Sequence, residues 1–495
     1  MVTLLRTVSL FLLLLSIAWQ SALGADWPQF RGPNCTGISA TIQSLPVEFS
    51  ATENVAWKAA IGDGVGSPVI SQGRVFVSTV DDAGQIALIA FDLNTGDELW
   101  RRTWDAGKLP DVHHANSHAS TTPAVDDERV YFYSSKFGIR ALDVATGEEI
   151  WYRPMPVPFF VFKWGPAMSP VLCRDKLIFC QDDDLYPAIY ALDKRTGEIQ
   201  WKDERYDMAV NYSHPVLLET DQGPEVVVAG TGMLVGYDLE TGKRLWHARL
   251  LLRNIKTTPV AVGDTVYVSL QSRGIANQWL ATADRSETGN SDGKLTKAEM
   301  QASVGDVQIP PEFFARTFDR GDMDGDGFLV GAELDAAFLH PDNFAGASFD
   351  VEDPADEYIM AVRGGGRGDV TQSHLIWRHK TKYTDHVVSP FVHDGRMFLI
   401  KGGGITTVFE TTEGSPVRGP KRLPNTGGYL ASPVYGDGKI YAAGEDGVIV
   451  VLADGEDYEV LATCDMGESI VATPAIADGA IVIRSRDNLW CVQSP

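Results

Sequence analysis

Cysteine is scarce in this chain of 495 residues, with five in all at positions 35, 173, 180, 464 and 491. An odd, scattered set excludes a disulfide framework and leaves at least one thiol unpaired within the chain. No C-x-x-C-H haem signature occurs and no two cysteines are adjacent. Basic residues are also in deficit, 42 Lys and Arg against 66 Asp and Glu, for a formal charge of -24. No Lys/Arg cluster offsets that charge, so phosphate backbones and anionic lipid are repelled; nucleic acid is excluded as a partner, and divalent cations suit the surface. No H-E-x-x-H motif is present, and the G-x-S-x-G spelling occurs only as GNSDG at 289 to 293, within an acidic loop, so neither motif supports a hydrolase. The conspicuous apolar run is at the start, where MVTLLRTVSLFLLLLSIAWQSALG passes from Arg6 to small residues Ala22 and Gly24 in secretory-signal order. A retained anchor wants about 20 apolar residues, and Ser9, Ser16 and Gln20 interrupt this stretch. The expectation is a leader over residues 1–24 and an exported protein, periplasmic or extracellular, with no membrane span after removal. Cys35 lies too far from that cleavage point to carry a lipid.

What is abundant is repetition. AFDLNTGDELW ends at Trp100, ALDVATGEEIW at Trp151, ALDKRTGEIQW at Trp201 and GYDLETGKRLW at Trp246. A period of roughly 45 to 50 residues points to a propeller or solenoid. Within each phrase the alternating apolar residues form a strand, an aspartate opens a turn (Asp92, Asp143, Asp193, Asp238), and a glycine supplies a positive φ. The tryptophan then lies on the returning strand, where a large ring packs between neighbouring sheets. Trp100, Trp151, Trp201, Trp246 and Trp377 are therefore expected in the core instead of at a sugar- or quinone-stacking site.

A second phrase opens each unit: SPVI at Ser67, TPAV at Thr122, SPVL at Ser169, HPVL at His214, TPVA at Thr258, SPFV at Ser389, SPVY at Ser432 and TPAI at Thr473. Proline at a strand's first residue is tolerated because its missing N–H need not enter the ladder. The phrase predicts an all-β, eight-bladed propeller of four-stranded antiparallel blades. The last unit runs out after NLWCV, and the early strand ENVAWKAAI has no unit of its own, so the N-terminal strand is expected to close the last blade.

DWPQFRGP at 26 to 33, GGRGDVTQSHLIWR at 365 to 378 and GYLASPVYGDGKIYAAGEDG at 428 to 447, together with the repeat, resemble the PQQ-like β-propeller family, specifically a secreted bacterial branch. That family includes quinoprotein alcohol dehydrogenases and the BamB-type assembly factor. The resemblance implies a propeller and offers two functions. One is a PQQ-dependent alcohol or sugar dehydrogenase, with calcium holding the quinone in the central channel. However, the vicinal disulfide of those enzymes is missing, and their calcium-ligand and catalytic aspartate motifs match no positions here. The other is a non-enzymatic binding or assembly scaffold whose loops meet an envelope protein or polysaccharide, and it is the preferred reading.

The fifth unit breaks the period. TPVAVGDTVYVS ends near Ser269, yet the next strand, EYIMAVR, starts at Glu357, a gap of roughly 80 residues against an ordinary loop of about 4 to 6. The gap contains DMDGDGFLVGAE at 322 to 333, the spelling of a 12-residue EF-hand calcium loop. Asp322, Asp324 and Asp326 take positions 1, 3 and 5; Gly327 makes the turn; Phe328 offers its carbonyl; Glu333 binds bidentately; and water serves position 9, which is Val330. PPEFFARTF before the loop and AELDAAFL after it have helical spacing. TGNSDGKLTKAE at 288 to 299 is a partner loop with Asn290, Asp292, Lys294 through its carbonyl, and Glu299. Thr288 at its first position leaves open whether this half holds calcium or only pairs through Leu295 with Leu329. The expected divisions are the leader (1–24), an N-terminal segment (25–50), the first part of the propeller (51–271), the insertion (272–355) and the remaining blades (356–495).

Other clusters receive structural readings. His113, His114 and His118 have the ligand type of a zinc or copper site, but only Asp111 stands near to complete it, so a hydrogen-bonded loop is expected. Asp182, Asp183 and Asp184 are read as a solvated acidic turn on a connecting loop. The RGD tripeptide at 367 to 369 is read as part of a glycine-rich turn.

Overall fold

The computed structural model describes residues 26–494 apart from 162, 209–210, 250–254, 270–275, 277–278, 339–355, 383–386, 425–426 and 456. The expected leader lies outside the described residues. Eight sheets are formed, each built on four antiparallel strands. Blade 1 comprises Val69–Ser71, Arg74–Val80, Gln85–Asp92 and Glu98–Asp105. Its second strand is buried at nearly every residue, whereas in the fourth only Trp100 is buried, which is why the fourth strands of the repeats carry the charge. Blade 8 takes Ala475–Ala477, Ala480–Arg484 and Asn488–Gln493 from the chain's end and Val55–Ala60 from its start, with Lys58 opposite Trp490. The expected closure by the early strand is thus observed.

Asp92 Oδ1 accepts the N–H groups of Asn94 (2.8 Å) and Thr95 (3.0 Å), fixing the turn. The glycine that follows has φ near +70° at Gly96, Gly147, Gly197 and Gly242. It is also where the preceding blade's tryptophan rests: a Cβ on Gly147 would lie 2.7 Å from the Trp100 ring, and one on Gly197 2.5 Å from Trp151. Each indole N–H donates to a backbone carbonyl of the same turn: Trp57 to Leu93 (2.8 Å), Trp100 to Val144 (3.2 Å), Trp151 to Lys194 (3.1 Å), Trp201 to Leu239 (2.9 Å) and Trp377 to Thr411 (2.8 Å). The aspartate-to-glycine turn and the tryptophan are two halves of one interblade contact.

Trp246 is the exception, because blade 5 replaces that turn with GGRGDVT. Its indole N–H donates to the buried Glu225 carboxylate (2.7 Å), which also accepts from Gly365 N–H (3.2 Å). Gly368–Asp369 then pairs in parallel with the outer strand Arg244–Arg249 of blade 4, so the RGD residues finish a sheet edge.

The S/T-P phrase forms the hub. The backbone N–H of the first residue in one blade donates to the hydroxyl of its counterpart in the next: Ser67 to Thr122, Thr122 to Ser169, Thr258 to Ser389, Ser389 to Ser432, Ser432 to Thr473 and Thr473 to Ser67, all at 2.9–3.1 Å. His214 takes the hydroxyl position in blade 4, and its Nδ1 meets Thr258 Oγ1 at 3.2 Å.

The N-terminal segment closes one end of this axis. Trp27 exchanges backbone bonds with Ile70 of blade 1, Pro28 accepts from Val125 of blade 2, Gln29 from Leu172 of blade 3, and Asn34 bonds Leu217 of blade 4. Arg31 donates to Pro390 of blade 6, and Gly37 and Ser39 bond Tyr435 of blade 7. The segment therefore satisfies backbone groups of the innermost strands, which have no further strand beside them. All five cysteines are free and buried.

Asp182, Asp183 and Asp184 are not the solvated turn expected. Asp182 is fully buried against Arg205, with contacts of 2.8 to 3.1 Å, and Arg205 also donates to Tyr237 Oη (2.8 Å). Asp183 accepts from Phe159 N–H (2.9 Å) and Leu185 N–H (3.2 Å), and Asp184 from Val161 N–H (3.0 Å). The charges are inward because the loop that follows blade 2 needs acceptors for its backbone N–H groups. Burial, with Asp183 alongside, pushes the Asp184 carboxyl up to about 7 against the Val161 bond that lowers it.

Two outcomes follow. Gly197→Ala places a side chain at positive φ and against the Trp151 ring, and should cost more than about 1 kcal/mol in chemical denaturation, while Trp201→Ala should cost about 3 to 5 kcal/mol. A raised carboxyl pKa gives stability that is complete below the unfolded value and lost as pH rises through about 7. Asp184→Asn retains an acceptor for Val161 and cannot ionise, so its melting temperature should exceed that of the parent at pH 8, with the advantage vanishing below about pH 4.

Candidate functional site

The insertion enters blade 5 between Thr265–Ser269 and Asp356–Arg363 and carries short helices at Lys297–Ser303, Pro311–Arg316, Phe318–Gly321 and Ala332–Phe338. Thr296 and Glu299 form a reciprocal capping box at the first of these, and Pro311 sits at the first turn of the second. Trp279, Met300, Phe313, Phe318 and Leu329 make its core, and Phe159 and Val161 of the loop anchored by Asp183 and Asp184 pack against it. Arg316 reaches from the insertion to the Leu185 carbonyl (2.8 Å). The insertion is therefore seated on blade 3 and on the loop that joins it to blade 2.

Its two loops lie side by side, with Leu295 and Leu329 exchanging backbone bonds of 3.1 and 2.9 Å. In the second loop, carboxylate oxygens of Asp322, Asp324 and Glu333 all lie within 4.8 Å of one another, the one group of three or more acidic or His/Cys side chains so arranged among the described residues. Asp322 Oδ2 accepts Gly327 N–H (3.1 Å), Asp324 Oδ1 accepts Asp326 N–H (3.1 Å), and Asp326 Oδ1 accepts Phe328 N–H (2.9 Å). Gly325 and Gly327, at φ +74° and +85°, allow the chain to wrap these carboxylates inward. Asp322 Oδ1 is buried with no hydrogen-bond partner among the described residues, which leaves carboxylate lone pairs unused within this acidic group.

The first loop repeats this bonding with one change. Asn290 Oδ1 accepts Asp292 N–H (2.9 Å) and Asp292 Oδ1 accepts Lys294 N–H (2.9 Å), as at the matching positions of the second loop. Gly293 N–H, however, donates to Asp284 Oδ2 (3.1 Å), and Thr288 turns to Ser286 Oγ (2.8 Å). Asp284, fully buried, takes the place in which Thr288 was expected. A 12-residue template misses it because residues 285–288 lengthen the loop. The signal available in the sequence was an aspartate four residues upstream of the defective first position. Glu299 is held in the capping box by Thr296 (2.8 and 3.0 Å).

A second concave feature lies on the axis, a cavity of about 260 Å³ lined by hub residues Ser67, Thr122, Ser169, His214, Ser389, Ser432 and Thr473, with Phe30 of the N-terminal segment stacked on His214 at 4.4 Å. Trp164, Tyr212 and Lys256 line it from connecting loops. The quinone of the dehydrogenase reading does not fit this lining. Among the described residues that line the cavity there is no Asp or Glu, so none of them offers a calcium ion a carboxylate ligand or a substrate proton a carboxylate base. The calcium-loop carboxylates belong to the insertion and are not in that lining.

His113 and His114 lie with ring centroids 4.1 Å apart, but with His118 they form no three-ligand group among the described residues. His113 Nδ1 accepts Ala115 N–H (3.2 Å) and its ring lies 4.4 Å from Trp164, while His118 Nε2 meets the Pro110 carbonyl (2.7 Å). The expected hydrogen-bonded loop is what these residues form.

A family model described as outer membrane protein assembly factor BamB matches residues 18–159 and 164–317. BamB of Legionella pneumophila (strain Paris) is 25% identical over 212 residues, which are 43% of this chain and 50% of that protein, so the chain spans about half the length of this relative. The crystal structure of BamB from Moraxella catarrhalis covers 89% of this chain and 98% of its own at a TM-score of 0.50 and 13% identity. Quinohemoprotein alcohol dehydrogenase from Comamonas testosteroni covers 96% and 81% at a TM-score of 0.51 and 12% identity. At those identities the structural likeness concerns the fold alone. With the family match extending over more than half of its residues, the chain belongs to the PQQ-like β-propeller family of the BamB type.

Proposed function

We propose that this protein is an exported, calcium-binding propeller that acts as a binding or assembly scaffold in the cell envelope. The observation that carries the calcium part is the convergence of Asp322, Asp324 and Glu333 around an unpartnered Asp322 oxygen. A hard divalent cation takes oxygen ligands of this kind, and Asp326 and the Phe328 carbonyl complete the set around it. The first loop offers Asn290, Asp292, the Lys294 carbonyl and Glu299, with Asp284 in place of Thr288. The first loop sets three carboxylates and Asn290 against four carboxylates in the second, so the second loop fills first. Extracellular modules bind calcium at about 10⁻⁴ to 10⁻³ M, which makes the ion a structural brace for the insertion instead of a switch.

The scaffold part is supported by the relatives whose printed name is outer membrane protein assembly factor. Among the described residues no helix is long and apolar enough to cross a membrane. A partner would then be an envelope protein or polysaccharide met by propeller loops and by the insertion. Mixing the mature protein with a solubilised envelope fraction should shift it to a larger species in size-exclusion chromatography; an unshifted elution would contradict the scaffold.

Calcium at 10 mM is expected to raise the melting temperature by an amount equivalent to about 1 to 3 kcal/mol, and Glu333→Gln should remove most of that gain without unfolding the propeller. A parent protein whose melting is the same in calcium and in chelator would contradict the reading. Titration with PQQ in calcium should give no saturable absorbance change. Saturable binding with alcohol- or sugar-dependent dye reduction would replace the scaffold by the oxidoreductase.

A further inference from the structure

A third concave feature lies where the insertion meets blade 2, a cleft of about 350 Å³. Its walls are residues 109–112 of the segment between blades 1 and 2, the blade 2 hairpin at 135–136, and residues 157–160 of the segment between blades 2 and 3. The insertion adds Asp306 and Val307. The cleft shares no lining residue with the axial cavity.

Charge marks this cleft. Asp111, Lys136, Lys163 and Asp306 line it, two of each sign, and none of the four makes an ion pair or a side-chain hydrogen bond with a described residue. Elsewhere on the surface such charges close on one another, as Lys58 does on Glu468 and Arg174 on Glu219, both at 2.8 Å. Opposite charges that border one space without closing leave donors and acceptors free for a ligand that carries both signs. We propose that the cleft binds a small zwitterion with an apolar body, of the size of a dipeptide.

The class of ligand follows from the signs and from the walls. A plain anion meets Asp111 and Asp306 as well as the lysines, in a chain whose net charge is -24, and a plain cation meets Lys136 and Lys163. A zwitterion answers both sets with charge-assisted bonds, because lysine only donates and an ionised aspartate only accepts. The hydroxyls of a neutral sugar form weaker bonds to the same groups. Leu109, Val112, Val157, Phe159 and Phe160 supply apolar surface, and Val157 is 59% exposed although large and apolar. Pockets of this size and composition hold an apolar body and orient it by a few polar groups.

The walls are set in advance. Asp183 accepts Phe159 N–H (2.9 Å), and the carbonyl of Lys163, a residue at φ +56°, accepts His113 N–H (2.7 Å). On the insertion side Gln301 donates to the Val307 carbonyl (2.7 Å) and accepts Ile309 N–H (3.0 Å). A site fixed before its ligand arrives loses less freedom on binding. It goes beyond the scaffold reading, because neither the calcium loops nor an envelope partner requires a small ligand here.

The test is calorimetric titration of the mature protein with leucyl-leucine, its C-terminal amide, its N-acetyl form and cellobiose. Leucyl-leucine should bind saturably, and each blocked form about ten-fold or more weakly. The double variant Lys136→Gln/Lys163→Gln should erase the difference between acid and amide, and Asp111→Asn/Asp306→Asn that between free and acetylated amine. Both variants should keep the parent's melting temperature, since the four side chains have no partner to lose. The assignment is overturned if leucyl-leucine gives no saturable binding, if the blocked forms bind as well, if the preference for acid over amide survives in the lysine variant, or if cellobiose binds more tightly.

Discussion

An indole lying flat on a glycine of the next blade is the contact on which this propeller depends. Trp151 over Gly197 and Trp201 over Gly242 leave no room for a Cβ, and the glycines are in turn held at positive φ by the aspartate that opens the turn. Ring burial, turn conformation and indole hydrogen bond are thus a single unit, repeated at five of the eight blade junctions. The hub repeats the logic at the other end of each sheet, where an N–H of one blade meets a hydroxyl of the next. Two concentric seams, apolar outside and polar inside, set blade spacing and leave the axis open. Trp57 carries the outer seam across the junction of the chain's two ends, because its strand completes blade 8 and its ring rests on Gly96 of blade 1.

Where the repeat is broken, the structure shows what replaces it. Blade 5 lacks the aspartate-to-glycine turn, and Glu225 with the GGRGD segment receives Trp246 instead. Blade 4 lacks the hub hydroxyl, and His214 fills the position with a nitrogen to spare. The first calcium loop lacks an aspartate at its expected start, and Asp284 arrives from outside a 12-residue register. Each departure sits beside a feature the plain repeat does not have: a sheet-edge extension, an axial cavity and a lengthened loop.

Periodicity made the blades, their number and the closing strand legible from sequence, because a repeated phrase is constrained at every copy by the same contact. Site chemistry was legible only where a local template exists. Asp322, Asp324 and Glu333 are spaced by the loop they wrap, so their convergence could be read directly. Asp182 to Asp184 were not, since an acidic triplet looks alike in water and in the core; only the partners Arg205, Phe159 and Val161, distant in sequence, turn it inward. The axial cavity is assembled from residues between Phe30 and Thr473, drawn from every blade or the loop that leads into it, and no local spacing announces such a site. The role of DWPQFRGP as a seal across blades 1, 2 and 3 was hidden for the same reason.

The insertion joins these themes. It is a helical unit with its own core, yet that core is completed by Phe159 and Val161 from the loop that Asp183 and Asp184 hold, and the same loop continues to Trp164 on the axial cavity. A brace on the insertion is therefore also a brace on one wall of the axis. The most direct measurement is an anomalous difference map from crystals of the mature protein soaked in calcium and in a heavier lanthanide. The account predicts a peak among Asp322, Asp324 and Glu333, stronger than any at the first loop. A map with no peak at the second loop, in crystals that diffract well enough to show the sulfur atoms, would contradict it.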